Sequence, residues 1–193
     1  MGYRVFFHIN FAKARTFIVV KNGKGGILMR KLYIKQKVFS IGEKFNVTDA
    51  NQETVYHVQG SFLKIPKQFT IYDRHDQIIG EITKKVLALL PQFTVAIAGA
   101  SDIVIKKELT LFKARYHIEA EEISVQGNWW DMDFEVIRDG LQIAVINKRW
   151  VSWGDTYEVT IQDERYEKMI IALVVAIDCV KADDNAAASS AST

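Results

Sequence analysis

The sequence predicts a mainly β fold: a closed antiparallel barrel of about twelve strands around a central hydrophobic C-terminal helix, about 165–180. Three observations carry this. An aromatic residue, any residue, then Val or Ile recurs as Phe45-Asn46-Val47, Phe69-Thr70-Ile71, Phe93-Thr94-Val95, Tyr116-His117-Ile118, Phe134-Glu135-Val136 and Tyr157-Glu158-Val159. Polar turns and returning strands follow these motifs. Near the end, the run MIIALVVAI (169–177) carries no polar residue at all.

The aromatics are spaced 24, 24, 23, 18 and 23 residues apart, which marks a repeated unit. Alternation with an aromatic and a β-branched residue on one face reads as a half-buried strand. An opening strand at 32–39 precedes the first of them. The turns are Asp49-Ala50-Asn51-Gln52, Asp73-Arg74-His75-Asp76, Gly99-Ala100-Ser101-Asp102, Ala120-Glu121-Glu122 and Arg138-Asp139-Gly140. Returning strands such as Thr54-Val55-Tyr56-His57-Val58 and Ile103-Val104-Ile105 complete the hairpins. Residues 157–161 close the series. The stretches 39–48 and 151–160 share a Ser-x-Gly-acidic-x-aromatic-x-Val-Thr pattern, as two similar halves would.

A flat sheet of that size would leave edges open to aggregation, and closure removes them. About eight strands can be filled by side chains alone, so a barrel of about twelve needs a further filling. The terminal run supplies it. As a helix, 165–180 would be about 24 Å long, short of a roughly 30 Å hydrocarbon core. It is apolar on every face, as a fully buried helix is. Its β-branched residues favour strand and a membrane anchor is the other alternative, but its length favours a buried helix.

Composition narrows function by exclusion. Net charge is +2, so no nucleic-acid partner is expected. One cysteine, Cys179, excludes an internal disulfide and a thiolate metal site, and a reducing cytoplasm is the simplest setting. The glycine-rich Lys21-Asn22-Gly23-Lys24-Gly25-Gly26 lacks the Gly-Lys-Ser/Thr end of a phosphate loop. His8, His57, His75 and His117 share no metal-ligand spacing. No catalytic residue, metal or cofactor is read from the sequence, and an enzyme is not expected.

Charge position is more informative. The hairpin turns gather at one end of the barrel and are mostly acidic. The connections between hairpins gather at the other and carry Lys84, Lys85, Lys106, Lys107, Lys148 and Arg149, the candidate anion-binding residues. Leu and Trp residues lie beside them, a combination that an anionic membrane surface attracts. If the strands run on through these segments, the apolar residues point into the core, the reading favoured for them, and the lysines form a solvated face.

The stretches 32–45, Gly127-Asn128-Trp129-Trp130, 148–157 and Ala176-Ile177-Asp178-Cys179-Val180 resemble the LURP-one-related family, which belongs with the tubby C-terminal domains and phospholipid scramblases. The resemblance covers about 29–181. It implies a twelve-stranded barrel around a hydrophobic helix, as a bacterial member of unestablished activity. Tubby domains bind phosphoinositides, and scramblases are linked to lipid movement. No lipid-binding residue of either transfers to a matching position here, and the acylated cysteine cluster of scramblases is missing. The function expected is non-enzymatic binding of an anionic ligand, such as a phospholipid headgroup, at the basic rim by a cytoplasmic protein peripheral to the membrane. The alternative is a structural or protein-interaction module with a protein partner and no lipid ligand.

Residues 1–28 lie outside both the repeat and the resemblance. Codons for Lys24-Gly25-Gly26 can form a ribosome-binding sequence shortly before Met29, so Met29 is expected as the true start. The Ala- and Ser-rich 182–193 is expected to be a disordered tail.

Overall fold

A computed structural model describes residues 29–35, 44–61, 68–85, 90–108, 115–120, 123–151 and 154–190. The expected start at Met29 turns on residues 1–28, outside this set. So do parts of the two similar stretches.

Twelve strands form one antiparallel sheet: β1 (Arg30–Lys35), β2 (Lys44–Asp49), β3 (Thr54–Gly60), β4 (Gln68–Asp73), β5 (Ile78–Lys85), β6 (Gln92–Ile97), β7 (Ile103–Glu108), β8 (Arg115–Glu119), β9 (Ser124–Asn128), β10 (Asp133–Arg138), β11 (Leu141–Val151) and β12 (Gly154–Ile161). The order is β8-β7-β6-β5-β4-β3-β2-β1-β12-β11-β10-β9. Pairing β1 with β12 joins the two halves into a nearly closed barrel. The seam lies between β8 and β9, which share no ladder among the described residues.

The aromatic repeat has a geometric meaning. Each motif lies on an even-numbered strand, and Phe45, Phe93, Tyr116, Phe134 and Tyr157 are buried. Across the ladders, Phe45 faces Val58 and Val58 faces Ile71, two residues beyond Phe69. Phe69 leads through Ile82 to Val95, and Phe93 leads through Ile105 to Ile118. Phe134 leads through Ile146 to Val159, and Tyr157 leads through Ile34 to Val47. Each of these five steps therefore advances the register by the same two residues, or one per strand. With a rise of about 3.3 Å per residue and about 4.7 Å between strands, that stagger tilts the strands by about 35°. Twelve strands at that tilt close at a radius of about 11 Å, close to the ~10 Å at which packed layers sit.

The helix α1 (Glu167–Ser190) occupies this space, preceded by a 3-10 turn (Glu164–Tyr166) whose Asp163 cap accepts from the Arg165 amide at 3.1 Å. Met169 and 170–177 are buried without a polar atom to place. Gly80 of β5 lets the helix approach: a Cβ there would lie 3.4 Å from Ala172 Cβ and 3.3 Å from the Ala96 carbonyl oxygen. Helix propensity yields to burial here, since the β-branched residues lose little by being helical when every face meets core.

Two expectations change at the C-terminus. The helix does not end near residue 180, and 182–190 are helical rather than disordered. Ala182, Ala186, Ala187 and Ala188 are the strongest helix formers, and the preceding turns are already fixed, so extension needs no new nucleus. Asp183 and Asp184 also gain partners on the barrel. No helix of the described residues is long and apolar enough to cross a membrane.

If the helix is the core on which the strands close, Leu173→Ala will lower stability by about 2–5 kcal/mol in urea unfolding. Leu173→Asp, which buries an unpaired charge, will show no cooperative unfolding transition. A cooperative Leu173→Asp protein would contradict that placement.

Candidate functional site

The helix runs from the hairpin-turn end of the barrel to the opposite mouth, and polar residues hold it at both ends. At its start, Glu167 Oε1 accepts from the Tyr56 hydroxyl at 2.5 Å and Oε2 pairs with Arg30 Nε at 2.9 Å. Burial, then the Glu167 hydrogen bond, pushes the Tyr56 phenol well above its ordinary pKa. Tyr56 therefore stays a donor. Near the mouth, the Tyr157 hydroxyl donates to Asp178 Oδ1 at 3.0 Å, while Lys181 Nζ lies 5.6 Å from the Tyr157 ring centroid.

Strand parity sorts the six candidate cations into two sets. On β5, Ile82 is buried and Lys84 follows on the same face; on β7, Lys107 follows Ile103 and Ile105. Lys148 shares the parity of the buried Ala144 and Ile146. These three belong to the inner side of the mouth. Lys85, Lys106 and Arg149 belong to the outer wall, where opposite-parity residues project.

Two of the inner set, Lys84 and Lys107, meet the helix. Lys84 Nζ holds both oxygens of Asp183, each at 2.8 Å. Lys107 Nζ and the Tyr116 hydroxyl both donate to Asp184 Oδ1, at 2.5 and 2.9 Å. Lys107 and Tyr116 are register partners on β7 and β8, with the ammonium 5.5 Å from the ring centroid. Tyr116 in turn stacks on Trp130 at 5.4 Å and meets Trp129 edge-on at 6.2 Å. The Asn128 side chain, accepting from the Asp131 amide at 3.2 Å, caps the short turn carrying both tryptophans. Met132 then adopts a left-handed φ of 58° and returns the chain to β10.

The outer set is dispersed. Lys106 pairs with Glu119 at 2.7 Å on the neighbouring β8. Arg149 Nη2 pairs with Glu158 at 2.6 Å, and Lys31 approaches the same carboxylate at 3.0 Å from the other side. Glu158 is only 6 % exposed. Burial alone would raise its pKa, but hydrogen bonds and charge from Lys31 and Arg149 outweigh this and hold it below the usual carboxylate range. This trio ties β1, β12 and β11 together. Lys85 is exposed, with no ion-pair partner among the described residues.

The mouth thus brings Lys84 and Lys107 together around adjacent acids and leaves Lys85, Lys106 and Arg149 outside. Tyr116, Asp183 and Asp184 were not marked by sequence reasoning. The two aspartates had a signal: they follow the apolar run and lie about 24 Å along the helix from Glu167, far enough to reach the end where the lysines lie. The connections 36–43, 62–67, 86–89, 109–114 and 152–153, which carry the other basic and apolar residues of that end, lie outside the described residues. No group of His, Cys, Asp and Glu among the described residues could hold a metal ion.

Comparison with known proteins follows from this fold. The LURP-one-related family profile matches residues 30–178. "Uncharacterized protein YxjI" of Bacillus subtilis (strain 168) is 27% identical over 157 residues, covering 81% of this chain and 96% of that protein. An X-ray structure of an Arabidopsis thaliana protein, AT5G01750, aligns with a TM-score of 0.48 and 12% identity, covering 78% of this chain and 91% of that one.

Asp178 yields a pH prediction. It is 3 % exposed, and burial, only partly offset by Tyr157 and Lys181, raises its pKa to about 6. The folded protein therefore keeps a proton between about pH 4 and 6 that the unfolded chain has released. Stability from this group is greatest below pH 4, falls as pH rises to 6, and is level above it. Asp178→Asn, which retains an acceptor for Tyr157, will raise stability at pH 7.5 by about 1–3 kcal/mol and have little effect at pH 4. Urea unfolding at both pH values checks this; equal effects at both would refute the buried-carboxyl assignment.

Proposed function

Since the chain belongs to the LURP-one-related family, matched from the first strand into the central helix, we propose that it is a non-enzymatic binding module that takes an anionic ligand, a phospholipid headgroup, at its lysine-bearing mouth. The single observation that supports this most is that Lys84 holds the Asp183 carboxylate while Lys107 and the Tyr116 hydroxyl hold that of the adjacent Asp184. Donors already arranged around one kind of oxyanion suit another, since phosphate and carboxylate draw on the same charge-assisted hydrogen bonds. The filled interior supports it too, because a barrel packed around its own helix has its exchangeable surfaces at the ends. Lys85, Lys106 and Arg149 on the adjoining outer wall add attraction toward a negatively charged surface, about 1 kcal/mol per basic residue near the membrane. In this reading the protein works in the cytoplasm, peripheral to the membrane.

A second reading is a protein-interaction module. It is supported by β9, an edge strand with Ser124, Gln126, Gly127 and Asn128 exposed, available for strand addition by a partner.

Vesicle flotation separates the two. Co-flotation is expected with vesicles containing phosphatidylserine and not with phosphatidylcholine alone, and it should weaken with added salt. Lys85→Glu with Lys106→Glu will reduce it about thirtyfold, the equivalent of two lost basic contacts at about 1 kcal/mol each. Equal recovery on neutral and anionic vesicles would remove the headgroup reading and leave the edge-strand one.

A further inference from the structure

The two acids at the mouth belong to the part of the helix that has already left the packed interior. Val180 is fully buried, whereas Asn185 and the residues to Ser190 are exposed. Asp183 and Asp184 lie at the crossing. Nothing in the apolar core requires carboxylates there, and Ala at either position would suit the surrounding alanine-rich helix better by propensity. Yet both are held tightly, with side chains only 16% and 19% exposed.

We propose that the mouth is an anion site occupied by its own helix: Asp183 and Asp184 fill the positions that Lys84, Lys107 and the Tyr116 hydroxyl offer to a phosphate group, and the ligand binds by displacing them. This rests on the reading of the mouth as an anionic-ligand site and adds its regulation. The three donors come from β5, β7 and β8, strands of the barrel wall and not of the helix. Tyr116 is anchored by Trp129 and Trp130, and Lys107 by the Tyr116 ring. The acids sit instead where the helix leaves the barrel, directly before its exposed last turns 185–190, a segment with little to lose on fraying. A cradle on the laddered wall and a surrogate anion on the emerging helix is the arrangement that makes exchange possible. Each ion pair released by the helix is replaced by a pair with the ligand, so affinity is lowered by the resident acids without being abolished.

The test compares wild type, Asp183→Asn with Asp184→Asn, and a charge-matched control, Asp76→Asn with Asp139→Asn. The control acids are exposed, sit at the opposite end, and have left-handed φ values of 59° and 51° that Asn tolerates. Two probes are titrated: inorganic phosphate, followed by calorimetry, and phosphatidylserine vesicles, followed by flotation. Removing the resident carboxylates should tighten binding about tenfold beyond the control, within the 5–150-fold range of typical coupling. A gain with phosphate assigns a free anion, and a gain with vesicles alone assigns a headgroup; either supports the proposal. Binding by all three proteins with equal strength overturns the displacement and leaves the mouth as a ligand site. Binding by none of them, to either probe, overturns the ligand reading and the proposal with it. Should the double variant not fold, hydrogen exchange on wild type decides: faster exchange of amides 182–190 with saturating vesicles or phosphate supports displacement, and unchanged exchange overturns it.

Discussion

Register stagger is the constraint from which the rest of this structure follows. One residue per strand, repeated through every laddered hairpin, fixes both the tilt of the strands and the radius at which they can close. At about 11 Å that radius leaves a space too wide for side chains from the wall alone and suited to one helix of about 10 Å diameter. The aromatic-x-Val/Ile motif is the chemical trace of this stagger. Its large residue fills the wall at one level and its β-branched residue receives the row that begins at the neighbouring motif. The helix is consequently not an appendage to the barrel. Its apolar run is part of the same core as Phe93, Ile105, Val159 and Tyr157.

A core this apolar needs polar contacts to fix the helix along its axis, because hydrophobic packing is non-directional. Glu167 with Arg30 and Tyr56 does this at the start, and Asp178 with Tyr157 near the mouth. Asp183 and Asp184 form a third group, and it differs in kind. The first two lie within buried surroundings where separation would strand a charge, whereas the third is partly exposed where the helix leaves the barrel. The polar contacts along one helix thus differ in burial with depth.

Much of the fold was legible in the sequence, and for a specific reason. Strand alternation, turn residues and a fully apolar run are local signals, and the roughly constant repeat converts them into a closed architecture. The helix boundary was not legible, since Ala182 to Ser190 reads equally as a low-complexity tail until Lys84 and Lys107 are seen to hold it. The site was legible only in outline. The lysines could be assigned to one end from the order of turns and connections, but which of them face inward depends on strand register, and the bulge between Ile71 and Tyr72 shifts the parity of β5. Tyr116 appeared as a repeat aromatic and its hydroxyl carried no separate signal. Asp183 and Asp184 were hidden by the tail in which they occur.

The central claim is that helix and barrel form one cooperative unit, and native-state hydrogen exchange in low denaturant tests it most directly. Amides of Ile170, Leu173 and Ile177 should exchange only through global unfolding, with the same free energy and denaturant dependence as ladder amides of β1 and β12. Exchange of those helix amides through a separate, lower-energy opening, while β1 and β12 remain protected, would contradict it.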